Sequence, residues 1–207
     1  MAAMEADQSK YAIHAAAREG RVTVVESLLN ADPKLARLKD DDGRLPIHWA
    51  ASSNQPAIVL LLAQQKDFDP DIEANNNGQT VMHFVASKNN LEVARKLLEN
   101  KSPASTRVRD KRGQYPLHRA AAVGSVPMIN LLLKNRSPLN ATDMSGYTAL
   151  HHAIAEGHGD AAVALLKAGA EIDKRDSDGQ LPLDLAPDKE VRRYIQREAE
   201  KEGIDLE

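Results

Sequence analysis

Cysteine is absent from this chain of 207 residues, and aromatic residues make up only 3% of it. The missing cysteine excludes disulfide scaffolds, thiolate zinc sites and cysteine nucleophiles. So few aromatic side chains argue against a surface on which nucleic-acid bases stack. The chain also lacks a run of about 20 apolar residues, the length that a membrane-spanning helix needs. These absences favour a protein that works through its polar surface.

Neither sign of charge dominates the sequence. Lys and Arg together number 27 against 30 Asp and Glu, which gives a formal net charge of -3. Nucleic-acid-binding proteins usually show a basic stripe or a clear basic excess, so we expect no nucleic-acid partner. Residues 1–9 are expected to form a flexible N-terminus, and Met1 to Gln8 lack the apolar core of a signal peptide. The expected location is therefore cytoplasmic and nuclear.

One phrase recurs every 33 to 35 residues: Asp or Asn, two variable residues, Gly, and five places later His or Asp. Two short apolar helical stretches follow each closing residue. A period of this length is typical of a solenoid, in which each unit buries its apolar face only against its neighbours. The leading residues are Asp40, Asn75, Asp110, Asp143 and Asp176, the glycines are Gly43, Gly78, Gly113, Gly146 and Gly179, and the closing residues are His48, His83, His118, His151 and Asp184.

The repeat predicts an all-α fold of six stacked helix–turn–helix units with β-turn tips, in a single domain over residues 10–195. The first unit lacks the leading phrase, but His14 lies 34 residues before His48, so the register is kept. In the last unit Pro187 ends the inner helix and Asp188 is suited to cap a final helix. The predicted units cover about residues 10–39, 40–74, 75–109, 110–142, 143–175 and 176–195, and a polar tail follows over 196–207.

The histidines raise the question of a metal or acid–base site. His152 and Glu156 are four residues apart on one helical face, with His158 nearby, and a small metallohydrolase around His151, His152 and His158 is one hypothesis. These residues do not form the His-Glu-x-x-His motif, and their spacing implies no third ligand. We therefore expect no metal, cofactor or catalytic site. Five histidines fall on the repeated phrase and are interpreted as structural: His14, His48, His83, His118 and His151.

The repeated phrase resembles the ankyrin repeat, whose consensus reads Asp-x-x-Gly-x-Thr-Pro-Leu-His-x-Ala-Ala. Residues 46–51 and 116–121 carry the second half of it almost unchanged. In that family the Thr and His help to link neighbouring turns through hydrogen bonds. The Thr position is Leu45, Tyr115 or Leu181 in units two, four and six, so weaker turn locking is expected there.

The ankyrin resemblance implies that a protein partner meets the turn tips and the exposed side of the inner helices. Read along those positions, acidic tips come first, a basic block with aromatic residues follows, and mild acidity returns at the end. Aromatic residues and Arg are frequent anchors of protein interfaces, and we expect Trp49, Phe84, Tyr115 and Tyr147 to be exposed. The predicted partner-binding residues are Asp41, Asp42, Arg44, Trp49, Phe84, Lys88, Lys111, Arg112, Tyr115, Arg119, Tyr147, His152 and Glu156.

A narrower resemblance rests on residues 41–49, 86–89, 116–125 and 155–163, which are similar to the gankyrin family and to its fungal members in particular. The resemblance implies a non-enzymatic assembly chaperone of the proteasome regulatory particle, expected to act as a monomer. Such proteins hold the C-terminal domain of one AAA ATPase subunit in their concave groove and are shed as the particle docks on the core.

The same resemblance assigns roles to individual residues. Acidic residues near Asp42 would meet partner arginines, and Arg44, Lys88 and Arg119 would meet partner glutamates. Trp49 would pack at the centre of the interface. The alternative function is an ankyrin adaptor or inhibitor that uses the same face to bind a kinase or a transcription factor.

Two features depart from the gankyrin pattern. Members of that family usually have seven units, whereas this sequence has six, and the step from Glu73 to Gly78 is the expected place of the missing one. The retinoblastoma-binding motif of the animal members, Leu-x-Cys-x-Glu, falls at residues 152–156, where Leu and Cys are replaced. That activity is not expected here.

Overall fold

The computed structural model describes residues 10–74 and 77–206. The predicted flexible N-terminus over residues 1–9 lies outside the described residues. Helices dominate these ranges, and the only β pairing in them is an isolated antiparallel bridge between Ala74 and Gln79. The predicted all-α solenoid class is confirmed. No helix in the described ranges is long and apolar enough to span a membrane.

The chain divides into two compact units, Met1–Ser105 and Thr106–Glu207. The predicted single domain over residues 10–195 stays a prediction. In the N-terminal unit, α1, α3 and α5 form an inner layer in which each helix packs on the next, and α2, α4 and α6 form the outer layer. Its helices are α1 (Ala12–Glu19), α2 (Val22–Ala31), α3 (Pro46–Ser52), α4 (Pro56–Ala63), α5 (Val81–Ser87) and α6 (Leu91–Leu98), with a 3₁₀ helix at Pro33–Arg37.

The C-terminal unit repeats this two-layer arrangement. The inner helices α7 and α9 pack on each other and α9 packs on a final 3₁₀ helix, while α8, α10 and α11 form the outer layer. Its elements are α7 (Pro116–Ala122), α8 (Val126–Lys134), α9 (Ala149–Ala155), α10 (Gly159–Lys167), the 3₁₀ helix Pro182–Leu185 and α11 (Lys189–Lys201).

Side-chain size decides which helix lies where. Ala50 and Ala120 on the inner helices are fully buried, and their small side chains allow neighbouring helices to approach closely. The outer helices place large side chains between the layers, among them the fully buried Leu97, Leu132 and Leu165. Each buried leucine stabilises the fold by about 2 kcal/mol. The core therefore runs between the two layers of each unit.

The C-terminal end of the chain differs from the predicted polar tail over residues 196–207. Asp188 caps α11 as predicted, since its carboxylate accepts hydrogen bonds from the backbone N–H groups of Glu190 and Val191 at 2.8 Å. The helix then continues to Lys201, and Ile195 and Ala199, four residues apart, are fully buried. Because that spacing keeps both on the side facing α10, the helix closes the apolar end of the outer layer.

The closing residue of the phrase ties each unit together. Nδ1 of His48 accepts the backbone N–H of Leu45 at 3.0 Å, and Nδ1 of His118 does the same for Tyr115. Nε2 of each ring then faces a carbonyl of the following turn, 3.2 Å away for His48 and 3.1 Å for His118. These partners require a neutral ring with its proton on Nε2, because a carbonyl can only accept.

Two variations on these histidine hydrogen bonds occur in other units and show the role of the ring. In the last unit, Asp184 replaces the histidine and its Oδ2 accepts the Leu181 N–H at 3.0 Å. A carboxylate is sufficient there because it caps the helix N-terminus without supplying a donor for a following turn. In two other units the hydroxyls of Thr80 and Thr148 lie 2.9 Å from Nδ1 of the histidine three residues on. Units with Leu45 or Tyr115 keep the backbone bond and lack only this hydroxyl contact.

Burial lowers the pKa of His48 and of His118 to about 4. Both groups have an ordinary value near 6.5 once the chain unfolds. Between pH 4 and pH 6.5 the unfolded chain therefore binds more protons than the folded chain. The contribution of each neutral histidine to the free energy of unfolding is complete above pH 6.5 and is lost as the pH falls toward 4. Protonation would also place a proton on Nδ1 and abolish its bond to the backbone N–H.

We expect the free energy of unfolding to fall between pH 6.5 and pH 4, by on the order of 1 kcal/mol per pH unit for each such histidine. Urea denaturation at several pH values in that interval measures it. In His118→Gln the pH dependence should be shallower than in the wild type, whatever the baseline stability. Equal free energies at pH 5 and pH 7 in the wild type would contradict the assignment.

Candidate protein-binding surface

Ten of the thirteen predicted partner-binding residues fall into two patches, one in each compact unit, and the side chains that contact them complete the patches. The N-terminal patch consists of Arg18, Asp40, Arg44, Trp49 and Phe84, with the turn tip at residues 41–42. The C-terminal patch consists of the following residues: Arg112, Gln114, Tyr115, Arg119, Asp143, Tyr147 and His152.

Trp49 is the centre of the N-terminal patch. Its indole Nε1 donates a hydrogen bond of 2.6 Å to Oδ2 of Asp40, the leading residue of the phrase. The guanidinium carbon of Arg44 lies 4.8 Å from the ring centroid, and that of Arg18 lies 5.7 Å away. Cation–π contacts of this kind contribute about 0.5–1 kcal/mol at exposed sites. The half-buried ring is thus held in one orientation before any partner arrives.

Phe84 does not occupy the exposed position predicted for it. Its relative exposure is only 9%, its ring centroid lies 6.1 Å from that of His48, and the Arg44 guanidinium covers it at 5.8 Å. The expectation of an exposed anchor was wrong because Arg44, from the preceding turn, covers the ring. Phe84 instead forms part of the aromatic floor beneath Arg44.

Arg44 is the cation of this patch that no acid neutralises. No carboxylate lies within ion-pair distance of it in residues 10–74 and 77–206, and its buried Nε makes no hydrogen bond there. The tip beside it is acidic and exposed. Asp41 accepts a hydrogen bond from the Tyr11 hydroxyl at 2.5 Å, whereas the Asp42 carboxylate projects into solvent. An open cavity of about 660 Å³ extends from Trp49 past Arg18.

In the C-terminal patch, the leading Asp binds the side chain nine residues further on. Nη2 of Arg119 donates to Oδ2 of Asp110 at 3.0 Å, and Nε2 of His152 lies 2.9 Å from Oδ2 of Asp143. The Asp110 side chain is 1% exposed. Arg119, which the resemblance assigned to partner glutamates, thus already has a carboxylate partner inside its own unit, and that assignment stays a prediction.

Sequence reasoning missed this pairing although its signal was present. Asp40 and Trp49, Asp110 and Arg119, and Asp143 and His152 all combine a leading Asp with a side-chain donor nine positions later. The donor is the residue directly after the closing His of the phrase. Since the position of that His in the inner helix was predicted, the donor could have been placed above the turn that contains the leading Asp.

Asp143 receives more donors than its equivalents. Nε2 of Gln114 donates to its Oδ2 at 3.0 Å, and the Tyr147 N–H donates to its Oδ1 at 3.0 Å. Burial opposes ionisation of Asp143, but the hydrogen bonds from Gln114, His152 and Tyr147 outweigh it and lower the pKa of this carboxyl. Asp143 is therefore an ionised acceptor within the patch, and protein hydrogen bonds satisfy it in place of water.

The two tyrosines of the patch are half-buried and stack on structural histidines. Tyr115 lies 5.9 Å from His118, and Tyr147 lies 5.3 Å from His151. An open cavity of about 740 Å³ borders Tyr147. At its rim is the turn-tip residue Met144, 77% exposed, which the sequence did not single out. Arg112 of this patch is exposed, and so are the predicted residues outside both patches: Lys88, Lys111 and Glu156.

The histidines that suggested a metal site have separate partners. His152 binds Asp143, and Nε2 of His158 lies 3.1 Å from the carbonyl of Ala122. Across residues 10–74 and 77–206, no three His, Cys, Asp or Glu side chains are grouped so as to hold a metal ion.

Stacked helix pairs, histidine ties between turns and a face of half-buried aromatic and charged side chains define an ankyrin-repeat interaction domain. The family model for ankyrin repeats in three copies matches residues 2–76, 66–143 and 101–176. The chain is 35% identical over 223 residues to the "Probable 26S proteasome regulatory subunit p28" of Saccharomyces cerevisiae, covering 90% of this chain and 98% of that protein. It belongs to the gankyrin family and resembles its fungal members.

Two further similarities cover only small parts of this chain. The chain is 40% identical over 52 residues to the "Ankyrin repeat-containing protein P1E11.10" of Schizosaccharomyces pombe, one quarter of each protein. It is 54% identical over 41 residues to the "Inhibitor of Bruton tyrosine kinase" of Xenopus laevis, but that segment is 3% of the relative. Matches about as long as one or two repeats reflect the shared repeat and carry no argument about partners.

The yeast comparison also bears on the number of units. The alignment spans 223 residues, more than the length of this chain, although it includes only 90% of this chain. Part of the yeast protein therefore has no counterpart here. The difference is roughly one ankyrin unit of 33 residues. Inside the N-terminal unit, α3 nevertheless packs directly on α5, so the stack is closed at the expected place of the missing unit.

Asp110→Asn tests the pairing of the leading residue. The variant keeps Oδ1 as acceptor for the turn but removes the charge that faces Arg119, and we expect the free energy of unfolding to drop by about 1–3 kcal/mol. Lys111→Gln, at the exposed neighbouring position, should stay within about 0.5 kcal/mol of the wild type. Urea denaturation of the three proteins measures both values, and equal stability of all three would refute the pairing.

Proposed function

We propose that this chain is a non-enzymatic assembly chaperone of the proteasome regulatory particle, acting in the cytoplasm and nucleus. It binds the C-terminal domain of an AAA ATPase subunit through its turn tips and the outward side of its inner helices. Two lines of evidence support this: the likeness to a yeast protein named as a probable proteasome regulatory subunit across 98% of that protein, and the chemistry of the N-terminal patch.

The state of Arg44 is the observation that carries the proposal. Its guanidinium lies 4.8 Å from the Trp49 ring and 5.8 Å from that of Phe84, and it has no ion-pair partner in the described chain. A planar cation supported by aromatic faces is preorganised to bind a carboxylate through two N–H groups. A glutamate or aspartate of the partner would supply the missing charge.

The acidic tip next to this cation sets the polarity of the interaction. Asp42 is exposed and makes no ion pair among the described residues, so it can receive an Arg or Lys of the partner. Opposite charges side by side select a partner with the complementary order and steer its approach. Trp49, half-buried between them, is placed to be the apolar anchor.

Arg119 is a poor choice for testing this function. A charge reversal at Arg119 would put two carboxylates at the buried Asp110 and lower stability, so a loss of binding would have two causes. Arg44 is the better choice because removing its charge leaves no buried carboxylate without a partner.

The test is capture of proteins from cell lysate by tagged wild type, Arg44→Met and Arg95→Met, with proteasome ATPase subunits quantified by mass spectrometry. Met keeps an apolar stem over the aromatic floor while removing the charge, so we expect about tenfold less ATPase captured, equivalent to about 1.4 kcal/mol. Arg95 is exposed on the outer helix α6, and its substitution should change nothing. Capture by the wild type should also weaken as salt rises.

Two outcomes would reject the proposal. One is recovery of kinases or transcription factors without proteasome ATPases, which would favour the adaptor function. The other is equal ATPase capture by the wild type and Arg44→Met while both variants unfold as the wild type does.

A further inference from the structure

The leading Asp of a unit has two oxygens with separate tasks. In Asp110, Oδ1 accepts the backbone N–H groups of Arg112 and Gln114 at 2.9 Å, and Oδ2 accepts from Arg119. In Asp143, Oδ1 holds the turn in the same way and Oδ2 faces His152. One oxygen therefore shapes the turn, while the other is occupied by the side chain nine positions later.

Asp176 has only the first of these interactions. Its Oδ1 accepts the N–H groups of Asp178 and Gln180 at 2.9 and 2.8 Å. The residue nine positions later is Leu185, whose side chain has no hydrogen-bonding group. Oδ2 of Asp176 is buried and has no hydrogen-bond partner among residues 10–74 and 77–206, and the residue as a whole is 7% exposed.

The surroundings of this oxygen are negative. Burial and then the charges of Asp176, Asp178 and Asp143 raise the pKa of Tyr147, which places the phenol in the field of these carboxylates. Asp178 and Tyr147 line the open cavity of about 740 Å³. The nearest cation along the chain, Arg175, donates instead to the carbonyl of Gly179 at 2.6 Å.

A buried carboxylate oxygen without a donor is costly, because the solvation it has lost is not replaced. In this same unit, Arg119 shows what completes the arrangement: a guanidinium delivered over the turn to Oδ2 at 3.0 Å. At Oδ2 of Asp176 the described residues supply no such group, so the position is open to one from another molecule.

We propose that Asp176 is the docking point for a basic side chain, an Arg or Lys, presented by a polypeptide partner. The cation approaches beside Tyr147 and takes the place at Oδ2 of Asp176 that Arg119 takes at Oδ2 of Asp110. The inference rests on the proposed function only in that the partner is a protein.

The experiment uses the full chain and a defined probe. N-acetylarginine amide and its neutral counterpart N-acetylcitrulline amide are titrated while the backbone N–H signals of Asp178 and Gln180 are followed by NMR, since both groups bond to Asp176. We expect a saturable millimolar response to the arginine probe and at least a tenfold weaker response to the citrulline probe. Lys in place of Arg in the probe should also bind.

Three variants locate the effect. Asp176→Asn keeps the Oδ1 acceptor but removes the charge, and Leu185→Arg fills the position from within the chain, so the response should fall at least tenfold in both. Asp173→Asn removes an exposed carboxylate of the same turn region and should respond as the wild type does. Leu185→Arg should in addition raise the midpoint of thermal unfolding.

An equal response to the arginine and citrulline probes, an unchanged response in Asp176→Asn, or no response at all would overturn the proposal. Each would indicate that a proton or a water satisfies Oδ2 instead. These outcomes are independent of the lysate experiment, because the probe reports on Asp176 alone, whether or not proteasome ATPases are the partner.

Discussion

A neutral imidazole in the helical turn after each tip is the interaction on which this fold depends. Nδ1 of His48 and of His118 accepts the backbone N–H of the residue directly before its own inner helix, and Nε2 faces a carbonyl of the next turn. One ring thus satisfies a helix terminus and aligns two successive units, which fixes the stacking distance. Because the ring is buried and must stay uncharged, the cohesion of the stack is linked to pH. In the last unit, Asp184 makes only the first of these two hydrogen bonds, to the backbone N–H of Leu181.

The leading aspartates position the polar and aromatic side chains on the surface of this regular scaffold. Each holds its turn with one oxygen and positions an inner-helix side chain with the other, and the identity of that side chain changes from unit to unit. Trp49 becomes an oriented aromatic anchor, whereas Arg119 and His152 become internally paired groups. Oδ2 of Asp176 is left without a donor in the described part of the chain. The same backbone geometry therefore yields an apolar anchor, neutralised charges and an unfilled carboxylate, and selectivity for partners arises from these differences.

Charged side chains on this surface differ in whether the chain itself supplies a partner. The resemblance assigned Arg119 and Arg44 the same role, yet of these two only Arg44 lacks an acid partner in the described chain. The difference comes from register: Arg119 lies nine residues after a leading Asp and Arg44 four residues after one. At four residues the backbone N–H of Arg44 bonds to Asp40, and the side chain passes on to the aromatic rings. A guanidinium stacked on rings keeps its charge for a partner, whereas one bonded to a buried carboxylate does not.

The sequence by itself determined the repeat, the helix pairs, the cap at Asp188, the structural role of the phrase histidines and the family, because each follows from local spacing and turn chemistry. It also placed the candidate surface on the tips and inner helices. Only the tertiary structure decided which side chains on that surface are available. Phe84 is buried because Arg44 lies over it, Arg119 is paired because Asp110 is brought beneath it, and Ala199 is buried because α11 packs on α10. Exposure depends on residues from other turns and helices, which no local pattern encodes, and the nine-residue spacing of Asp110 and Arg119 became interpretable only once the structure showed that it brings the two side chains together.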